Sequence, residues 1–411
     1  MPPTTSTDGW TWPGSPEGPT SQRGIVAVND AAEATSPEQH PPSNAEVEGA
    51  NVVDQDATTA VDPTAWTCPM PLRDHDRIVT GHGGGGRLSQ ELIEHLFRPA
   101  FGAAPTDPSH DSVILPMPTG GDRLAFSTDS YVVTPLIFPG GCIGDLAVNG
   151  TVNDIAMSGA VPVALSAAFI LEEGLELATL GRIAEAMGRA ATEADVQLAT
   201  GDTKVVEARE RGGMTITTAG FGVIAAGVDL GPHRVRPGDK VVLSGPIGQH
   251  GMAIMSLREG LEFESELQTD SAPLTGLVQT MLAAAPGGVH ALRDATRGGF
   301  AAVLCELAEA GDVGVEYVER DVPVPPDVAA ACGFLGLDPT HVANEGKLVA
   351  VVAADQADAV LEAMHAHPHG HEAVVVGEVV DDHNGIVVAR TGIGARRVVD
   401  LPLGEQLPRI C

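Results

Sequence analysis

The chain has 411 residues, with 23 Lys plus Arg against 55 Asp plus Glu, a formal net charge of -32 and a hydrophobic fraction of 43%. That length and apolar content are enough for two domains with cores of their own. The negative field repels nucleic-acid phosphate and anionic membrane surfaces, so neither is an expected partner.

Residues 1–71 are rich in Pro, Ser, Thr, Ala and acids, and Arg23 is the only Lys or Arg through Ala65. Such composition cannot bury enough apolar surface to offset the entropy of ordering, and a disordered acidic extension is expected. Its start has neither a basic n-region nor an apolar h-region, and no later run is apolar enough to cross a bilayer. Cytoplasmic location is the expectation. Five cysteines, Cys68, Cys142, Cys305, Cys332 and Cys411, form an odd set without close pairing. They indicate neither a disulfide framework nor a CxxC metal site, and they fit a reducing compartment.

Order is expected from residue 72. After "GHGGGGR", Ser89 is placed to cap a helix whose Leu92, Ile93, Leu96 and Phe97 share one face, and which should stop at Pro99. There follow a strand "RLAFSTDSYVV", a helix "IGDLAVNGTVNDIAMSG", a strand "VPVALSAAFI", a helix "LATLGRIAEAMGRAATEA" and a strand "MTITTAGFGVIAAG". This alternation predicts an α+β domain over 72–230. The stretch "VDLGPHRVRPGDK" is rich in turn formers, which puts a linker near Gly231 to Pro237. A second domain of mixed character, 237–390, holds the strand "KVVLSG", the helix "TRGGFAAVLCELAEA" and the strands "KLVAVVA" and "GIVVAR". Residues 391–411, "TGIGARRVVDLPLGEQLPRIC", have the composition of a mobile arm hinged at Gly392 and Gly394 and tipped by Cys411.

There is no GxxxxGK[ST], and no GxGxxG set between strand and helix. Asp129 in "STDS", Asp154 in "GTVND", Asp202 in "TGDTK" and Asp294 in "LRDATRGG" instead lie at element ends among small residues. Carboxylates converging on Mg2+ can hold a triphosphate without a Walker loop, because Mg2+ takes oxygen ligands from protein and phosphate together. Taken one at a time, each Asp reads equally as a cap or turn residue. The glycine run and Arg297 at the "TRGG" helix start are candidate phosphate contacts, against the alternative of a loop without a ligand.

Lys204 in "GDTKVV" and Glu345 in "NEGK" are candidates for proton transfer or for an ordinary salt bridge. His365, His367, His369 and His371 alternate along a tract that has no acid or Cys to close a metal site, so a solvated loop is expected there. Cys305 has helical spacing from Ala301, Leu304 and Ala308 and is expected in the core. Cys411 differs: a thiol at the tip of an arm can carry a small acyl-like group between sites.

The stretches "GHGGGGRLSQELIEHLF", "STDSYVVTPLIFPGG", "LAVNGTVNDIAMSGA", "GDTKVV", "RDATRGGFAAVLCELAE", "NEGK" and the terminal "PRIC" together resemble the HypE family of hydrogenase maturation proteins. The likeness runs in the family's order from about Leu72 to Cys411. PRIC is its most specific element, whereas the internal motifs are shared more loosely with selenophosphate synthetase, thiamine monophosphate kinase and aminoimidazole ribonucleotide synthetase.

The resemblance implies a two-domain ATP-binding fold like that of aminoimidazole ribonucleotide synthetase. It has an N-terminal sheet domain that dimerises, a C-terminal α/β domain and a mobile C-terminal arm. It implies an ATP-dependent carbamoyl dehydratase of [NiFe] hydrogenase assembly. On this resemblance a carbamoyltransferase, HypF, would load a carboxamide on Cys411, and dehydration would leave a thiocyanate whose cyano group would pass to iron on the HypC–HypD scaffold. By motif matching, ATP with Mg2+ would be held by Asp129, Asn153, Asp154, Asp202, Thr203, Asp294 and Arg297. Asp129, Asp154 and Asp202 would contact the metal, while Lys204 and Glu345 would move protons. Two other readings stay open, a small-molecule phosphotransferase of the same superfamily and a non-catalytic assembly adaptor. The acidic extension departs from the family pattern.

Overall fold

A computed structural model of the chain describes residues 75–83, 87–101, 119, 121–208, 213–260 and 267–400. The acidic extension 1–71, Gly84, Gly85 and Gly86 of the glycine run, and residues 401–411 with Cys411 lie outside the described residues.

The chain enters through a helical stretch made of α1 (Arg87–Leu92), a wider π-helical turn (Ile93–Phe97) and α2 (Arg98–Phe101). Two expectations are corrected here. Ser89 does not cap the helix; it lies inside α1 and its hydroxyl donates to the carbonyl of His82. Nor does Pro99 end the helix, which runs on through α2 after the π turn has changed its bonding pattern. Phe97 stacks on Phe169 at 4.6 Å, a burial worth about 1.5–3 kcal/mol for such a side chain.

The first sheet is built from β1 (Gly121–Tyr131), β4 (Ala160–Glu172), β5 (Gln197–Val206) and β6 (Met214–Ala225), in the order β1-β6-β4-β5. A short hairpin of β2 (Ile137–Phe138) and β3 (Gly141–Cys142) leads into α3 (Ile143–Met157). The start of α3 is sealed by a capping box in which the Cys142 thiol accepts from the Gly144 N–H and Asp145 accepts from the Cys142 N–H. β4 and β5 run parallel, joined by α4 (Leu177–Glu193) as a parallel pair requires. Both helices pack on one face of the sheet with Leu146, Ile155, Leu180, Ile183 and Met187 fully buried. The other face keeps apolar side chains outward: Leu124 is 57% and Phe126 73% exposed.

The connection near Gly231 is short and bound, with Arg234 donating to the carbonyls of Asp229 and Gly287. It leads to β7 (Lys240–Leu243), α5 (Gln249–Glu259), α6 (Thr275–Ala284), β8 (Val289–Asp294), α7 (Gly299–Gly311), β9 (Gly314–Val318) and α8 (Pro326–Leu335). After these come β10 (Leu348–Val352), α9 (Ala357–His365), β11 (Val374–Val380), β12 (Val387–Arg390) and β13 (Arg396–Val399). Among the described residues the second sheet has the order β13-β12-β9-β11-β7-β10-β8. Val241, Val315, Tyr317 and Val351 face α7 on one side, and Val242, Leu348 and Ala350 face α6 and α9 on the other. Cys305 is in the first of these cores, as expected, its thiol 3.4 Å from the Val399 carbonyl.

The arm expected over 391–411 does not start at residue 391. Thr391–Ala395 closes a turn and Arg396–Val399 adds β13 to the sheet edge, where Val399 is buried and Arg396 pairs with the buried Glu316. Within β13 only Val399 is buried, while Arg396, Arg397 and Val398 stay exposed, and charged side chains of this kind suit a sheet edge. Among the described residues no helix is long and apolar enough to cross a membrane.

Candidate active site

The end of β1, the middle of α3, the end of β8 and the loop before β10 meet around a cavity of about 340 Å3. Its walls include Asp129, Tyr131, Asp154, Arg293, Asp294, Thr296, Arg297 and Glu345. Asp129 stands on β1 two residues before Tyr131, which is fully buried against α3. Asp154 is on α3, and the hydroxyl of Ser127 donates to its Oδ2 at 2.8 Å. Asp294 closes β8. The "TRGG" turn then reverses the chain through Gly298 and Gly299, whose φ values of 74° and 64° a side chain would strain. Arg297 is thereby set at the entry of α7.

The chemistry of the cavity is that of crowded carboxylates. Asp294 is pushed up to about 7, first by burial and then by the charge of Asp154. Burial also raises Asp154, against the Ser127 hydrogen bond and the guanidinium groups of Arg293 and Arg297. Glu345 is raised well above the ordinary carboxylate range by burial and by Asp270, Asp294, Asp129 and Asp154 around it. It is 3% exposed, and its Oε1 has no hydrogen-bond partner. A buried carboxyl with an orphaned oxygen facing a cavity is a strong proton acceptor once ionised.

The oxygen-only set of Asp129, Asp154 and Asp294 suits a hard cation. Among the described residues no three His, Cys, Asp or Glu side chains come together in a way that could hold a metal ion, so these aspartates would bind Mg2+ only together with phosphate and water oxygens.

Other expected site residues are placed elsewhere. Asn153 is buried behind the cavity, and its amide is engaged by backbone: it donates to the Ala272 carbonyl at 3.0 Å and accepts from the Leu274 N–H at 2.7 Å. Asp202, Thr203 and Lys204 lie on β5. The register runs Ser130–Thr217–Ala168–Asp202 across the sheet, so Asp202 is three strands, or roughly 14 Å, from β1.

Lys204 pairs across from Ile170, which is 47% exposed, and the next residue, Val205, is partly buried against the core on the opposite face. Asp202 and Lys204 therefore stand on the open face of the sheet, away from Asp154. They bond to each other at 2.9 Å, which lowers Asp202.

The His tract is held by local contacts, with His365 bonded to the Ala373 carbonyl and His367 accepting from the His369 N–H. Sequence reasoning missed Ser127, Tyr131, Arg293 and Thr296. Ser127 and Arg293 flank the aspartates in "STDS" and "LRDAT" closely enough to have been found. Tyr131 read only as a strand aromatic.

The N-terminal domain of AIR synthase related proteins matches residues 109–224, and their C-terminal domain matches residues 236–390. The carbamoyl dehydratase HypE of Rhizobium leguminosarum bv. viciae is 54% identical over 335 residues, covering 82% of this chain and 95% of the relative. A crystal structure of the hydrogenase maturation protein HypE in complex with ATP superposes with a TM-score of 0.77 at 43% identity, over 81% of this chain and 99% of that one. HypE in a crystal structure of a HypE–HypF complex matches at a TM-score of 0.65 and 46% identity, over 68% and 90% of the two chains. On the identity and coverage of these matches, the chain belongs to the HypE family of carbamoyl dehydratases.

Proposed function

We propose that the chain removes water, at the expense of ATP, from a carboxamide carried on the sulfur of Cys411, leaving a thiocyanate that provides cyanide for hydrogenase iron. The observation that carries this reading is the cavity itself, where two arginines and three aspartates line the same space as Glu345, a buried carboxyl with an unpartnered oxygen.

An amide oxygen is a poor leaving group. Its phosphorylation by ATP releases ADP, and expulsion of phosphate with loss of both N–H protons then forms the C≡N bond. Arg297, and Arg293 beside its Glu306 partner, would hold phosphate oxygens, and Asp129, Asp154 and Asp294 would hold Mg2+. Bound Mg2+ would neutralise the triphosphate and polarise its terminal phosphorus. Glu345, buried and surrounded by acids, accepts an amide proton more strongly than an exposed Glu would.

Lys204 and Asp202 belong to this reaction only if another surface brings them to a cavity. The open face that bears them also bears exposed Leu124, Phe126 and Ile170, which suits a homodimer in which β5 of one copy completes the cavity of the other. HypF, seen with HypE in a solved complex, is the proposed donor of the carboxamide. A HypC–HypD scaffold is the proposed acceptor of the cyano group, in the cytoplasm.

Intact mass spectrometry after incubation with the transferase, carbamoyl phosphate and Mg-ATP tests the reading. Loading of Cys411 followed by loss of one water is expected. A loaded species that keeps its water in the presence of ATP contradicts it.

A further inference from the structure

Residues 267–274, "LQTDSAPL", run as a strap between the two halves of the site. On the side of the first sheet, the Thr269 N–H donates to the Pro139 carbonyl at 3.0 Å and Asn149 of α3 donates to the Ser271 hydroxyl at 3.0 Å. Asn153 of α3 holds Ala272 and Leu274. His250 of α5, packed edge-on against Phe138, bonds the Thr269 hydroxyl at 2.8 Å, and on the side of the second sheet Asp270 reaches the "NEGK" loop before β10.

The backbone of Glu345 is fixed at both ends by this strap and its partners. Its N–H donates to Asp270 Oδ1 at 3.1 Å, and its carbonyl accepts from the Asn153 amide at 3.4 Å. The contact is close: a Cβ on Gly346 would lie 1.8 Å from the Asp270 carbonyl oxygen. Asp270 is itself nearly sealed, its side chain 2% exposed and its Oδ2 3.6 Å from the Lys347 ammonium. A buried carboxylate with one cation and one backbone N–H for partners is costly to keep for structure alone.

We propose that Asp270 is a positioning residue for the dehydration: through the hydrogen bond its Oδ1 accepts from the Glu345 N–H, it fixes the Glu345 backbone so that the Glu345 carboxyl stands in the cavity. The proposal rests on the reading of Glu345 as the proton acceptor. Asp270 is not among the residues lining the cavity. Its effect passes through the register it imposes between α3, which bears Asp154, and the loop that bears Glu345. A displacement of about 1 Å in such a group costs on the order of a hundredfold in rate.

The test uses the full chain loaded on Cys411, with Asp270→Asn and Asp270→Glu compared in single turnover. Asparagine keeps the oxygen that accepts from Glu345, so its rate should stay within about threefold of the parent chain. Glutamate keeps the charge but moves the carboxylate by a methylene, and should slow dehydration by about a hundredfold. Both should bind Mg-ATP with affinity changed by no more than about threefold, which also reports that they fold.

Hydrogen exchange of residues 343–347, measured on the unloaded protein, should be faster in Asp270→Glu and close to the parent in Asp270→Asn. The reverse order of rates, with Asn slow and Glu normal, would show that charge rather than position matters and would overturn the proposal. So would equal exchange in all three proteins. A parent chain that fails to dehydrate sinks the proposed function instead, while the exchange result still decides whether Asp270 holds the loop.

Discussion

Glu345 and Lys204 were both expected to move protons, yet their surroundings are opposite. Glu345 is sealed in a loop between the sheets, ringed by four carboxylates that raise it. Lys204 has a side chain 63% exposed on an edge strand and pairs with an equally exposed Asp202, an ion pair worth at most about 1 kcal/mol. The first residue is prepared by its own chain. The second waits for a neighbouring surface, and this contrast separates what one chain builds from what an assembly must supply.

The sharpest way to break the contrast is at Glu345. Glu345→Gln keeps shape and removes the proton acceptor, so dehydration should fall by about a thousandfold while loading and ATP binding persist. Single-turnover mass spectrometry and calorimetry measure the two. A smaller but distinct loss is expected from Asp154→Asn, which removes one metal-suited oxygen and should weaken Mg-ATP binding by about ten- to a hundredfold. An unchanged affinity would take Asp154 out of the site.

Asp202→Asn probes the open face of the first sheet. If β5 completes a cavity only across subunits, the isolated monomer should bind Mg-ATP equally with or without this change. Phe126→Ser should weaken self-association by about tenfold, because one exposed aromatic would lose its buried place in a dimer. Sedimentation at several concentrations reads that shift, and a parent chain that is monomeric throughout removes the proposed dimer.

The smallest effect concerns stability. The Asp294 carboxyl is raised in the fold to about 7, against about 3.9 in an unfolded chain. The folded state therefore keeps a proton that the unfolded chain has released. The resulting stabilisation is full below about pH 4 and lost as pH rises through about 7. Without Mg2+ or nucleotide, the melting temperature should fall by a few degrees from about pH 5 to about pH 8, and Asp294→Asn should flatten the slope. A melting temperature that rises over that range, with Asp294→Asn unchanged, contradicts the assignment.

Much of this was legible in the sequence because it is local. Apolar period and turn residues placed α3, α4, α7 and the long strands, and small residues around Asp129, Asp154 and Asp294 marked element ends that converge. What escaped depends on partners far along the chain. Asn153 looked like a ligand residue, but the fold gives its amide to the strap at Ala272 and Leu274. Asp270 sits in an unremarkable turn sequence and gains meaning only beside Glu345 and Lys347. The face on which Lys204 emerges follows from strand register, which no motif encodes. Ser89 failed as a cap because the helix begins earlier and its hydroxyl turns back to His82.

Mixing Lys204→Ala with Glu345→Gln in one preparation tests most directly whether the two residues meet across a subunit boundary. Each variant alone should be inactive in dehydration. After subunit exchange, a mixed dimer holds one cavity with an intact Glu345 from its own chain and an intact Lys204 from the partner. Recovery of about a quarter of the parent rate is expected, since half the dimers are mixed and each has one competent site. Activity no higher than that of the separate variants, under conditions where subunit exchange is demonstrated, would contradict it.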